Sequence, residues 1–166
     1  MAKITLITGK VNSGKTRLLQ KRILALKPKG MDGFVCVKRL GHQKQIVGYD
    51  LIRIRDGQKL NALTVKDRKH AYQDYFQYGP YIFSKDAFYQ AERILDQALL
   101  DPSVETIVMD EIGEVEIMGL GYAHSLSKAL LSDKNLIMTV NEDRLQNVLH
   151  HFKIKEEDLT EILRLP

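Results

Sequence analysis

The sequence predicts an α/β domain: a mostly parallel central sheet with helices on both faces, and an antiparallel hairpin region inserted midway. Three observations carry this prediction. Apolar runs of strand length alternate with stretches of helical periodicity through most of the 166 residues, which is the pattern of strand-helix-strand crossovers. The first strand candidate runs straight into a glycine loop and then a helix. The middle stretch "QIVGYDLIRIRDGQKLNAL" alternates apolar and polar residues around "RDGQ", which suits an antiparallel hairpin lying outside the parallel core. With 44% hydrophobic residues, a chain of this length builds one core, so residues 1–166 read as one domain.

Taken in order, "ITLI" (4–7) is a β-branched run that stops at glycine. Residues 15–27 then place Leu18, Leu19, Ile23, Leu24 and Leu26 at helical spacing, and "KPKG" ends the helix. "GFVCV" (33–37) is a buried-strand candidate, followed by the hairpin stretch. "YIF" (81–83) reads as a short strand, with Ser84 or Asp86 capping a helix whose one face carries Ala87, Phe88, Ala91, Ile94, Leu95, Ala98 and Leu99. That helix stops before Pro102. "ETIVMDE" is a buried strand ending in two carboxylates, "YAHSLSKALL" a helix, "NLIMTV" a buried strand, "EDRLQNVLHHF" a helix and "EILRL" an edge strand.

Residues 9–16, "GKVNSGKT", fit G-x-x-x-x-G-K-[ST]. A loop between a buried strand and a helix start aims successive backbone N–H groups at one point, and the helix dipole adds positive charge there, so a polyphosphate is stabilised. The nucleotide-binding residues are therefore Gly9, Lys10, Val11, Asn12, Ser13, Gly14, Lys15, Thr16 and Arg17. Gly14 lets the backbone approach a phosphate, Lys15 bridges the β- and γ-phosphates, and the Thr16 hydroxyl binds Mg²⁺. This is the phosphate loop (Walker A) of the P-loop NTPase three-layer fold, and it points to a nucleoside triphosphate as partner.

Mg²⁺ takes oxygen ligands and needs a carboxylate nearby. Asp110, at the end of "TIVMDE", supplies one at the rim where parallel sheets bind ligands (Walker B). Glu111 follows and is placed to orient or deprotonate an attacking water. "DEIG" also fits the D-x-x-G of guanine-nucleotide switches, but "VNEDR" puts Glu142 where an N-K-x-D motif has lysine. That departure counts against a guanine-specific switch. Among arginines that could neutralise developing phosphoryl charge, Arg39, Arg53, Arg55, Arg68 and Arg144, the last ranks first because it follows a strand whose end faces the same rim.

The net charge of +4 suits any anionic partner. Between residues 38 and 70 basic groups outnumber acidic ones, and "YQDYFQYGPY" lies close by. These charges read first as the solvated face that protects a sheet edge, with a nucleic-acid surface as the alternative. The lone Cys36, inside "GFVCV", reads as a buried thiol of a reducing compartment. No stretch approaches the roughly 20 apolar residues of a membrane span, and the ten N-terminal residues lack a secretory apolar region. A cytoplasmic protein, monomeric or a small homo-oligomer, is expected.

The loop, "GF" at Gly33 and Phe34, the pair Gly48 and Tyr49, "YGPYIFSKDAF" (78–88), "DEIGEVE" (110–116) and "LIMTVNED" (136–143) together resemble the cancer-related or thermophilic-type nucleoside-triphosphatases, small P-loop NTPases, over almost the whole chain. The resemblance implies Mg²⁺-dependent hydrolysis of nucleoside triphosphates to diphosphate and phosphate with broad base tolerance. It further implies that Asp110 supports the metal, that Glu111 handles the water, and that Glu116 is a further site carboxylate. Two departures stand out: "VKRLGHQK" replaces a glutamate and arginine pair after "GF", and "NED" replaces a histidine or arginine after the late strand. The alternatives are a small nucleoside or nucleotide kinase, against which the lack of an arginine-rich lid counts, and a nucleotide-dependent module that regulates an RNA or protein partner.

Overall fold

A computed structural model describes residues 2–26 and 29–166. Among these, nine strands form one sheet: β1 (Ile4–Gly9), β2 (Met31–Leu40), β3 (Ile46–Arg53), β4 (Lys59–Val65), β5 (Tyr75–Tyr78), β6 (Tyr81–Ser84), β7 (Thr106–Ile112), β8 (Asn135–Asn141) and β9 (Leu159–Arg164). Their spatial order is β5-β6-β4-β3-β2-β7-β8-β1-β9. From β2 to β9 all neighbours are parallel, and from β2 to β5 all are antiparallel. The hairpin region therefore extends the sheet edge to edge and does not stand apart from the parallel core.

β2 is the seam between the two halves. Its register against β7 leaves no room for a side chain at Gly33, where a Cβ would lie 2.1 Å from the Val108 carbonyl oxygen, at a φ of +129°. Only glycine allows both that approach and that backbone conformation. Beside it Asp32, fully buried, accepts from Arg53 Nε at 3.0 Å and Nη2 at 2.6 Å. This forked ion pair ties β2 to the end of β3.

Helices cover both faces. The helix α1 (Lys15–Ala25) packs Leu19 and Ile23 against Ile7, Val35, Val108 and Ile137. Leu24 and Leu26, placed by periodicity on its apolar face, are instead exposed, because the buried stripe is narrower than the run of leucines. The expected helix end at Lys27 and Pro28 lies outside the described residues. On the opposite face α2 (Lys85–Leu100) buries Ala87, Phe88, Ala91, Leu95 and Ala98; full burial of a Phe88-sized side chain contributes on the order of 2–3 kcal/mol. Ser84 is its cap, accepting from the Ala87 N–H at 3.1 Å, while Asp86 lies in the first turn facing the helix dipole. Asp101 is extended before Pro102 and ends it.

The four-residue α3 (Glu114–Ile117), α4 (Ala123–Leu131) and α5 (Leu145–His151) complete the layers. The start of "EDRLQNVLHHF" is a single 3₁₀ turn, Glu142–Arg144, before α5 begins. "YFQY" forms β5, a strand at the sheet edge paired with β6. Cys36 is a buried free cysteine. No helix among the described residues is long and apolar enough to cross a membrane.

Candidate active site

The parallel pairing of β1 with β8 and of β8 with β7 brings three strand ends to one rim. Gly9 ends β1, and the loop that follows turns back on itself: the Ser13 N–H and the Lys15 ammonium both donate to the Lys10 carbonyl, at 3.1 and 2.9 Å. Asn12 and Gly14 have positive φ, 59° and 95°, so consecutive amides turn toward a common centre as in an anion-binding nest. A Cβ on Gly9 would meet Ser13 Oγ at 2.6 Å. Ser13 Oγ is itself buried without a hydrogen-bond partner among the described residues, so it keeps a donor free for a phosphate oxygen. Lys15 is buried at the start of α1, whereas Lys10, Val11 and Arg17 are exposed.

Asp110 lies under the loop and is almost fully buried. Oδ2 accepts from the Thr16 hydroxyl at 2.8 Å and from the Cys36 N–H at 2.9 Å, and Oδ1 accepts from the Thr139 hydroxyl at 2.6 Å. One carboxylate thus joins α1, β2, β7 and β8. Burial pushes its pKa up, while the bonds from Thr139, Cys36 and Thr16 pull it down. Thr16 and Asp110 are hard oxygen donors in contact, the donor chemistry that suits a hydrated Mg²⁺.

Glu111 follows at the rim with φ +64°, a conformation non-glycine residues seldom adopt. Its N–H donates to Thr139 Oγ1 at 2.8 Å, and this bond holds the turned backbone. The register of β7 against β8 slips between Met109 and Ile112, so Glu111 sits at an irregular point of the strand with its side chain exposed. Its carboxyl is nonetheless raised above the usual value, first because the walls of the site strip it of water and next because of Asp110; the charges of Lys15 and Lys38 pull it back.

Glu116 lies close enough to the site for its charge and that of Glu111 to act on each other. It is buried in α3, where Oε2 accepts from the Gly113 N–H at 2.9 Å and Oε1 from the Tyr122 N–H at 3.1 Å. Its carboxyl is pushed up to about 7 by burial. These two bonds hold the segment that follows Glu111. Arg144, in the turn after β8, is half exposed and pairs with Glu114 at 3.7 Å; the structure gives it no contact with the phosphate loop. Arg39 is drawn away to Asp50 at 3.1 Å, and Arg55 to Asp101 at 2.9 Å.

Two participants were not singled out from sequence. Thr139 lies inside an apolar run, and a polar residue in "LIMTV" directly across from the carboxylate strand was the available signal. Lys38, whose ammonium donates to Asn12 Oδ1 at 2.8 Å, was one of many basic residues in its segment, and no local pattern marks it.

Comparisons with known proteins bear on the family and the fold. A family model described as NTPase matches residues 4–165. The chain is 27% identical over 140 residues to the nucleoside-triphosphatase THEP1 of Natranaerobius thermophilus, covering 81% of this chain and 73% of that one. The solution structure of a human cancer-related nucleoside triphosphatase superposes with a TM-score of 0.75 at 20% identity, over 99% of this chain and 89% of that one, which shows the same fold. With the family model matched from β1 to the end of β9, the chain belongs to this NTPase family.

Proposed function

We propose that the protein hydrolyses nucleoside 5′-triphosphates to the diphosphate and inorganic phosphate, with Mg²⁺ and little preference among bases. The observation that carries this reading is the Thr16–Asp110–Thr139–Glu111 chain of hydrogen bonds. It holds the Thr16-bonded carboxylate of Asp110 next in sequence to the exposed carboxylate of Glu111, the pair on which this reading rests. The loop amides and Lys15 hold the triphosphate. Thr16 and Asp110 would hold Mg²⁺, which when bound neutralises charge on the β- and γ-phosphates.

Glu111 accepts a proton from a water whose oxygen forms the new bond to the γ-phosphorus. The bond from that phosphorus to the β,γ-bridging oxygen breaks, and its electron pair leaves with the diphosphate. A carboxylate raised above its usual pKa is a better base for this step. The breadth of base use rests on the resemblance drawn from the sequence and on the absence of N-K-x-D after β8.

Phosphate release from ATP, GTP, CTP and UTP, with and without Mg²⁺, tests the reading. The expected result is Mg²⁺-dependent release from all four, lost in Glu111→Gln although nucleotide still binds, and lost together with binding in Lys15→Ala. Binding without release in the parent protein would overturn it and turn attention to an acceptor substrate.

A further inference from the structure

Four of the arginines that the sequence offers are engaged with carboxylates: Arg144 pairs with Glu114, and Arg39, Arg53 and Arg55 with Asp50, Asp32 and Asp101. A different cation is at the rim. Along β2, side chains alternate between faces, so Phe34, Cys36 and Lys38 share one. Phe34 stacks near Tyr122 in the core, Cys36 gives its N–H to Asp110, and Lys38, two residues further, emerges at the rim.

Its ammonium reaches the middle of the phosphate loop and donates to Asn12 Oδ1 at 2.8 Å, across 26 positions of sequence. It is also close enough to Glu111 for its charge to act on that carboxyl. Lys15 approaches the same centre from beneath, tethered to the Lys10 carbonyl. A terminal phosphate between the loop and Glu111 therefore has one ammonium below it and a second facing it from β2.

On the hydrolase reading above, we propose that Lys38 is a catalytic residue that contacts the γ-phosphate: its ammonium exchanges the neutral Asn12 amide oxygen for a non-bridging oxygen of the terminal phosphate. A charged acceptor makes the stronger bond, so the triphosphate drives the exchange. As the bond from the γ-phosphorus to the bridging oxygen lengthens, Lys38 offsets the negative charge spread over the three peripheral oxygens. It moves no proton; the water proton goes to Glu111 and the bridging electron pair to the diphosphate. The enzyme thus carries its own counterpart of an arginine finger on the seam strand.

The test compares Lys38→Met and Lys38→Arg in phosphate release and in binding of a non-hydrolysable triphosphate and of the diphosphate. Lys38 is exposed, and thermal unfolding checks that each variant is folded. Expected for Lys38→Met is a kcat loss of at least about 100-fold, given that such cations contribute about 10³–10⁵ in related reactions. Its triphosphate affinity falls while diphosphate affinity stays the same. Lys38→Arg recovers part of the rate.

If Lys38→Met weakens the diphosphate as much as the triphosphate, Lys38 only shapes the loop and the proposal fails. Should the parent release no phosphate at all, the hydrolase reading fails. In that event a triphosphate-selective loss in Lys38→Met still establishes the contact, and its absence removes it.

Discussion

Thr139→Val is the most informative perturbation of the site's scaffold. Thr139 is fully buried, and valine keeps its shape and branching. What disappears is one hydroxyl that donates to Asp110 and accepts from the Glu111 N–H. Losing a hydrogen bond to a carboxylate costs about 1.5–3 kcal/mol, and leaving a buried N–H without a partner costs about 1–3 kcal/mol more. Because both act through one atom they are not additive, and a net loss of about 3 kcal/mol is expected. In a domain of this size each kcal/mol moves Tm by about 2–4 °C, so Tm falls by about 6–12 °C.

Thr139→Ser keeps the hydroxyl and loses one methyl, worth about 1 kcal/mol with its small cavity. Urea unfolding followed by circular dichroism, with unchanged m, should rank the parent above serine and serine above valine. Phosphate release should follow the same order, since the hydroxyl holds Glu111 in its turned conformation. A valine variant as stable as the serine one would refute the assignment of the hydroxyl as the joint between the two carboxylate residues.

Three further outcomes are expected. Arg53→Ala leaves the buried Asp32 carboxylate without its forked partner and should lower unfolding free energy by about 3 kcal/mol, read by chemical denaturation at neutral pH. Gly33→Ala sets a Cβ against the Val108 carbonyl and should cost more than about 3 kcal/mol or abolish soluble expression, while Gly57→Ala, in an open turn, should fold. Glu116 is held at about 7 against an ordinary 4.5, so the native state binds more protons than the unfolded chain between those values. Stability should therefore fall by up to about 3 kcal/mol as pH rises from 4.5 to 7 and flatten above. Glu116→Gln should make that slope shallower without abolishing it, since Asp110 and Glu111 are shifted in the same direction.

The phosphate loop, the carboxylate pair and the order of the main elements are legible in the sequence because each depends on neighbours in the chain. Glycines at fixed offsets, a β-branched run before them and an apolar helix after them are local signals. Leu24 and Leu26 show where local reading fails: periodicity names apolar positions but not how wide a stripe the sheet covers. Tyr75–Tyr78 forms a strand the sequence does not announce, since four residues at a sheet edge carry too little alternation. The site's remaining parts are matters of register. Thr139 meets Asp110 because β8 lies beside β7, and Lys38 meets Asn12 because β2 borders β7 with β8 between it and β1. No spacing in the sequence contains that order of strands. Glu116 matched a motif as a carboxylate, but burial decides its role, and its two backbone partners come from both ends of a turn that forms only on folding.

The seam at β2 has a consequence for how such a molecule diversifies. Chemistry on the parallel side touches the antiparallel side through this one strand: the Cys36 amide on Asp110, the Lys38 ammonium on Asn12 and the closure of Gly33 on Val108. Everything beyond β3 can then be lengthened, shortened or recharged like an exchangeable cartridge, provided the seam keeps its register. Substrate preference and partner choice are free to drift in the cartridge while the engine beside it stays the same. A shift of β2 by a single residue would instead turn Cys36 and Lys38 to the opposite face and silence the engine without altering a loop residue.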